Sequence, residues 1–271
     1  MKQHPIVQRI AANKVGRDFI VGDIHGAFSL VDEALRLVGF DPGADRLFSV
    51  GDLIDRGPES PRCVEFLARP YVHAVRGNHE EILLLLHEDG EPAREVLDFY
   101  AQRNGMAWWM EAAPDVRQAV LQAIASLPVA IELKTMRGSV GLVHADVPEG
   151  MDWGTFCRLL EQEDEDVRQI ALEGRERIKA RCEDGVSGID RVFVGHTPRF
   201  GGAQRLGNVY AIDTGAVFGS EDHLGHLTIA NACMRTEVLA SPRRAVELID
   251  VCDECPPEAK RPFGTYAQAP R

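Results

Sequence analysis

Short apolar runs stopped by glycine punctuate this chain. Phe19-Ile20-Val21 precedes Gly22, Leu47-Phe48-Ser49-Val50 precedes Gly51, Val72-His73-Ala74-Val75 precedes Arg76-Gly77, and Val192-Phe193-Val194 precedes Gly195. Runs of this length bounded by turn residues read as buried strands. Between the first three the pattern changes to helical spacing. After strand 18–21, Leu30, Val31, Ala34, Leu35 and Val38 fall on one helix face. After strand 47–50 a helix opens near Ser60-Pro61, where proline suits the first turn. After strand 72–75 a Leu-rich helix runs through Ile82 to Leu86. This alternation predicts parallel strands joined by right-handed crossovers.

Residues 92–127 read as helical throughout, with Val116, Ala119, Val120, Ala123, Ile124 and Leu127 in one stripe. Trp108-Trp109 reads as core rather than as a platform for a ligand. Runs 129–135 and 139–143 form a hairpin around Met136-Arg137-Gly138, and the second strand ends at His144. Residues at about 162–182 read as a charged helical stretch whose charges are mostly a solvated face. Segments 209–212, 227–230, 235–239 and 245–251 look like successive antiparallel strands, and the Pro-rich polar tail after Val251 reads as disordered. With no internal repeat and no linker, residues 1–251 are expected to form one domain, followed by the tail 252–271.

At 271 residues, with 45% hydrophobic and 27% charged positions, the chain has the composition of an ordinary globular protein. No apolar run approaches the ~20 residues of a membrane span, and Met1-Lys2-Gln3-His4-Pro5 lacks a secretory segment, so a cytoplasmic location is expected. A net charge of -12 argues against broad electrostatic binding to nucleic acid or anionic membrane. It leaves a phosphorylated substrate open, because metals and a few arginines can make one pocket positive. Six cysteines are too scattered for a disulfide framework, and Cys252-Asp253-Glu254-Cys255 has zinc or redox spacing with no second pair to complete it.

The loops after the four strands carry the chemistry. They would converge on one rim of a sheet, where open α/β folds place their ligands. Asp and His in mixture suit divalent transition metals, and a pair of ions ~3.5–4 Å apart needs a bridging carboxylate and separate caps. Asp23 and His25 stand two apart and can face one ion; Asp52 is the natural bridge; Asn78, His144 and His196 complete the second. A water held between the ions would lose its proton near neutral pH and attack phosphorus in line. Arg56 and Arg76 flank the same loops and can grip phosphate bidentately. His79 is the candidate general acid, and Asp55 can hold its imidazole protonated and oriented. Taken singly, His4, His73 and His87 keep an ordinary structural reading, and His223 and His226 border a loop that could approach the site.

The ordered set Gly22-Asp23-Ile24-His25-Gly26, Gly51-Asp52-Leu53-Ile54-Asp55-Arg56-Gly57, Arg76-Gly77-Asn78-His79-Glu80, Val143-His144-Ala145-Asp146, Gly195-His196-Thr197-Pro198 and Ile212-Asp213-Thr214-Gly215 resembles the phosphoprotein phosphatase group of metallophosphoesterases. Within it, the chain looks most like the bacteriophage lambda branch and its bacterial relatives, over about residues 17 to 230. The resemblance implies an α/β, four-layer, calcineurin-like fold: a central β-sandwich flanked by helices, with a two-metal site on one rim. It implies the same ligand sets as above, with His79 as acid, Asp55 as its orienting partner, and Arg56 and Arg76 on phosphate. A third arginine is implied before Gly195; Arg175 in Gly174-Arg175-Glu176-Arg177 is the match, with Arg177 as alternative. Two divalent ions are implied, Mn²⁺ by family habit, although Fe, Zn²⁺, Co²⁺ and Ni²⁺ also suit these ligands.

The implied reaction is direct hydrolysis of phosphoserine or phosphothreonine in proteins, and phosphotyrosine stays open, because no Cys or Ser in these loops is placed as a nucleophile. A symmetrical diadenosine tetraphosphate hydrolase is the nearest rival. That related family resembles this chain in the first motif but usually lacks the Asp-Arg pair and carries Asn-His-Asp, where this chain has Asp55-Arg56 and Asn78-His79-Glu80. A non-catalytic metal-binding scaffold would typically lose a ligand or the acid, and here none is lost.

Overall fold

A computed structural model describes residues 4–199, 201–218 and 225–233 in full and the backbone of 246–249. Chain order begins with β1 (Val7–Ile10), β2 (Asp18–Val21), α1 (Phe28–Leu37), β3 (Arg46–Ser49), α2 (Cys63–Leu67), β4 (Val72–Ala74) and α3 (Asn78–Leu86). The helical stretch that follows holds α4 (Arg94–Asn104), α5 (Ala107–Glu111) and α6 (Pro114–Ala125). Next come β5 (Ala130–Thr135), β6 (Gly138–Val143), α7 (Trp153–Glu161), α8 (Glu165–Glu173), α9 (Glu176–Ala180) and β7 (Arg191–Val194). Finally β8 (Gln204–Leu206), β9 (Val209–Ala211), β10 (Leu227–Asn231) and β11 (Val246–Ile249) close the two sheets. One sheet has the order β1-β5-β6-β7-β9-β8 and the other β11-β10-β2-β3-β4.

Period-two alternation makes the strands two-faced and stacks the sheets. Ile20, Phe48, Ile131, Leu142, Phe193 and Tyr210 point inward and form the layer between the sheets, with Phe193 stacked on Tyr210 at 5.2 Å between ring centroids. Their neighbours Phe19, Val21 and Leu47 point outward and pack with Phe28 and Val31 of α1 and Phe66 of α2. On the far side, Val192 and Val194 pack with Trp153, Phe156 and Leu160 of α7 and Ala171 of α8. The result is helix, sheet, sheet, helix, the four-layer sandwich expected. Strands β2, β3 and β4 run parallel, as do β6 and β7, so five strand ends that carry polar motifs open on one rim. Among the described residues no helix is long and apolar enough to cross a membrane.

The structure corrects several expectations. Residues 92–127 are three helices: Gly105 ends α4 in the left-handed region (φ 75°), and Ala113, extended before Pro114, restarts the chain as α6. Residues 162–182 are also interrupted, because Asp164 caps α8 by accepting from the Val167 amide at 3.0 Å and Gly174 separates α8 from α9. Their charges are not all solvated: Arg177 is buried against Asp146, at 2.8 Å. The late strands are not one antiparallel series, since β9 runs parallel to β7 in one sheet while β10 runs antiparallel to β2 in the other. β11 lies parallel to β10. The short edge strands β1 and β8 were not anticipated, nor was helix α7, although its buried Trp153, Phe156, Cys157 and Leu160 stand at helical spacing. The expected strand 235–239, His223, Cys252, Cys255 and the tail lie outside the described residues.

Candidate metal and phosphate site

Loops that leave these strands turn sharply, and the turning residues are among those expected to carry the chemistry. His25, Asp52, Asp55, Arg56 and His196 all have positive φ, from 46° to 70°. A non-glycine residue there costs ~1–3 kcal/mol, so five in one cluster mark a conformation imposed by its surroundings. Glu80 supplies much of that imposition. Fully buried at the start of α3, its carboxylate accepts the amides of Gly77 (2.8 Å), Asp52 (3.0 Å), Leu53 (2.8 Å) and Ile54 (3.2 Å). The loop after β3 is thereby wrapped around one anion. A second brace comes from the α4–α5 turn, where the Gly105 carbonyl accepts the Arg56 amide at 2.9 Å. A Cβ on Gly105 would meet Arg56 Cα at 2.8 Å, so only glycine allows this approach.

Within the cluster, carbonyls fix the histidines. His25 Nδ1 faces the Ile54 carbonyl at 2.9 Å and His144 Nδ1 faces the Val50 carbonyl at 2.8 Å, which aims both Nε2 atoms at Asp52. These distances to the carboxylate are 3.4 Å for His25 and 3.3 Å for His144. Asn78 Oδ1 lies 3.0 Å from His144 Nε2 and 2.9 Å from His196 Nδ1. Asp23 accepts the His196 amide through Oδ2 at 2.9 Å, whereas its buried Oδ1 has no hydrogen-bond partner.

The electrostatics call for a cation. Burial, then the charges of Asp213 and Asp52, push the Asp23 carboxyl well up. Burial likewise raises Asp213 to about 6. Burial alone would lower His144, but Asp52 and Asp23 outweigh it and raise that ring to about 10. Burial and the neighbouring His144 drop His196 to about 3. Buried carboxylates crowded together, an orphaned carboxylate oxygen and imidazoles aimed at the same point fit divalent metal binding. Of three groups of side chains among the described residues with ligand atoms close enough to share an ion, Glu149-Cys182-Asp184 is not part of this cluster, and the other two, His25-Asp52-His79 and Asp52-His144-His196, both contain Asp52.

Beside these carboxylates lie Asp55, His79, Arg56 and Arg175. His79 Nδ1 is 2.6 Å from Asp55 Oδ2, and Trp108 Nε1 donates to Asp55 Oδ1 at 2.8 Å. Burial lowers the His79 pKa, but the charge of Asp52 and the hydrogen bond and charge of Asp55 outweigh it, so the ring is raised above its ordinary value. Arg56 spans the gap: Nη1 is 2.6 Å from His25 Nε2 and Nη2 is 3.1 Å from His79 Nε2. Arg175 reaches the site from the turn before α9, donating from Nε to His196 Nε2 at 3.0 Å.

The structure thus brings together Asp23, His25, Asp52, Asp55, Arg56, Asn78, His79, His144, Arg175 and His196. It does not bring in Arg76. That guanidinium bonds Glu81 at 2.9 Å and the carbonyls of Ala125 and Leu127 at the end of α6, because Glu81 is an acid one turn along on α3. Arg177 is excluded from the site by its buried bonds to Asp146 and to the Asp184 and Val147 carbonyls. His73 stacks on Phe48 and His87 packs edge-on against Trp109, both structural as expected. For His226, the described contact is its carbonyl, which accepts the Thr214 hydroxyl at 2.8 Å. Trp109 is core, but Trp108 is bonded to the site. The sequence reading gives Glu80 and Asp213 no role of their own and places Trp108 in the core. Asp213 follows a strand and precedes Thr-Gly, the same signal that marked Asp23 and Asp52. No local signal marks Trp108.

Comparison with known proteins agrees with this geometry. The family model for calcineurin-like phosphoesterases matches residues 19–208. The chain is 36% identical over 234 residues to serine/threonine-protein phosphatase 1 of Salmonella typhimurium strain LT2, covering 85% of this chain and 98% of that protein. It is 30% identical over 215 residues to serine/threonine-protein phosphatase 2 of Escherichia coli K12, covering 77% and 92%. Among solved structures, a candidate diadenosine tetraphosphatase aligns with a TM-score of 0.55 at 26% identity, over 83% of this chain and 93% of that one.

Proposed function

We propose, for a chain that belongs to the calcineurin-like phosphoesterase family, that this site hydrolyses phosphoserine and phosphothreonine in proteins, with phosphotyrosine as a further substrate. The observation that carries the reading is the Asp55–His79 pair with Arg56 laid across His79 and His25. A serine or threonine alkoxide is a poor leaving group and needs a proton as it departs. Asp55 holds the His79 ring by Nδ1, which leaves Nε2 as the atom that delivers that proton. Arg56 and Arg175 present guanidinium forks to the phosphate oxygens.

Two divalent ions, manganese in our reading, would be held by Asp23, His25 and Asp52 and by Asp52, Asn78, His144 and His196. When bound they supply Lewis acidity and bring the pKa of water down to ~7. No protein nucleophile is required. The Cys63 and Cys157 thiols are pushed up to about 12 by burial and stay protonated, and no cysteine among the described residues belongs to the cluster. Free cysteines accord with a cytoplasmic setting.

A phosphorus NMR time course on one Mn²⁺-loaded sample containing a phosphoserine peptide and diadenosine tetraphosphate tests the proposal. Orthophosphate released first, with the dinucleotide intact, is the expected result. ADP released first would replace this reading with the dinucleotide one.

A further inference from the structure

We propose that the groove between α3 and α8 docks the substrate chain beside its phosphorylated residue and selects segments that pair a basic side chain with an apolar one. The inference rests on the protein-phosphatase reading above and names the substrate class within it.

The groove encloses about 270 Å³ and begins at Asn78, whose side-chain oxygen contacts His144 and His196. Asn78 thus joins the groove to the Asp-His cluster. Ile82 and Leu85 of α3 and Leu172 of α8 line it with apolar surface, and Leu85 is 59% exposed. An apolar side chain left in water beside a reaction centre is surface that a partner can cover. Around it stand Glu165, Asp166 and Glu173, all exposed and in no ion pair among the described residues. The one cation in the lining, Arg168, is consumed: Nε and Nη2 both bond Glu81 Oε1, at 3.1 and 2.6 Å. Arg76 bonds the other oxygen of Glu81 at 2.9 Å. This Arg76-Glu81-Arg168 bridge ties α3 to α8, so the groove is a built feature of fixed width, and its rim carries net negative charge.

That chemistry fits one kind of occupant. A peptide side chain of Lys or Arg finds three carboxylates, and an adjacent Leu or Ile finds Leu85 and Ile82. A dinucleotide polyphosphate would meet the same rim with its own negative charge and be repelled. Arg56 and Arg175 hold the phosphate, and the groove reads the residues beside it.

The test compares two Mn²⁺-dependent substrates, phosphoserine peptides identical except that Arg-Leu flanks in one become Glu-Ser in the other, with p-nitrophenyl phosphate as a flank-free control. The native protein is expected to favour the basic peptide about tenfold in kcat/KM at low salt, and the preference should shrink as salt rises. The double variant Glu165→Gln/Glu173→Gln should reduce that preference about fivefold and leave p-nitrophenyl phosphate turnover unchanged. Native rates within twofold for the two peptides would overturn the groove while leaving the phosphatase reading intact, as would full preference in the double variant. Hydrolysis of diadenosine tetraphosphate with neither peptide cleaved would overturn both.

Discussion

Replacing Trp108 with Phe isolates the group that holds the acid from behind. Asp55 is fully buried and both its oxygens are engaged, Oδ2 by His79 at 2.6 Å and Oδ1 by Trp108 Nε1 at 2.8 Å. Phe retains an aromatic ring against Trp109, 5.4 Å away between centroids, and removes the N–H donor. A hydrogen bond to a charged acceptor is worth ~1.5–3 kcal/mol, and Asp55 Oδ1 would be left buried without one. Part of that loss reaches His79 as freedom of the carboxylate to rotate away from Nδ1. General acid catalysis contributes ~10²–10⁴-fold, so partial misplacement of the acid should slow kcat on a phosphoserine peptide about tenfold, ~1.4 kcal/mol of barrier. p-Nitrophenyl phosphate has a leaving group that departs without a proton, and its kcat should change less than twofold. Steady-state kinetics on both substrates, with a thermal melt of each protein, reads the difference. Equal losses on the two substrates would show that Trp108 only supports the fold, and an unchanged phosphoserine rate would remove it from the mechanism.

Arg175→Lys should raise KM for phosphopeptide about tenfold by breaking a bidentate grip, whereas Arg76→Lys should act mainly on stability, because Arg76 braces Glu81 and the end of α6; the reverse ranking in kinetics and melts would restore Arg76 to the phosphate. Burial pushes the Glu81 carboxyl up, but bonds from Arg76 and Arg168 outweigh it and hold it below its ordinary 4.5. A depressed acid stabilises the fold above its unfolded pKa and loses that contribution as pH falls through the folded value. Melts of native protein and Glu81→Gln should therefore differ at neutral pH and converge in acid below the ordinary carboxylate range; a constant gap would refute the linkage. Divalent metal should raise the melting temperature and chelator lower it, since a cation would offset the burial of Asp23 and its repulsion by Asp213 and Asp52, with ~4.1 kcal/mol expected at a thousandfold excess over Kd. Gly195→Ala, whose Cβ would overlap Asp23 Oδ1, should abolish that shift, and a retained shift would count against Asp23 as a ligand.

The residues expected as metal ligands and acid were legible because each stands just past the end of an apolar strand, all but His144 with a glycine in the turn, and parallel strands bring such ends to one rim. Asp23, His25, Asp52, Asn78, His144 and His196 needed only that topology to meet. Distances along the sequence did not obscure them: His196, after β7 of one sheet, comes within 2.9 Å of Asn78, after β4 of the other, across 118 positions. Arg76 was misread for the complementary reason. Its position in the loop suggested the site, but the direction of its side chain is set by Glu81 and by carbonyls after α6, contacts that no local pattern encodes. Helix boundaries were missed inside 92–127, where composition looked helical but Gly105 ends α4 and Pro114 opens α6.

What the motifs do not encode is the force that holds them in shape. His25, Asp52, Asp55 and Arg56 are held in the left-handed region at a cost of ~1–3 kcal/mol each. The chain would relax those turns if nothing opposed it. The opposition comes from elsewhere: the Glu80 carboxylate gathers four amides, the Ile54 carbonyl faces the His25 ring, and the Gly105 carbonyl accepts the Arg56 amide. Glu80 belongs to α3 and Gly105 to the α4 terminus, so two separate helical segments set the geometry of one loop. This links the Asp-Arg pair to the Glu of Asn-His-Glu in this chain: Asp55 and Arg56 face His79 and His25 in a turn that Glu80 helps to impose. A shorter Asp at position 80 would draw its carboxylate back from the amides of Leu53 and Ile54, and the loop carrying Asp55 and Arg56 would lose the brace nearest to it.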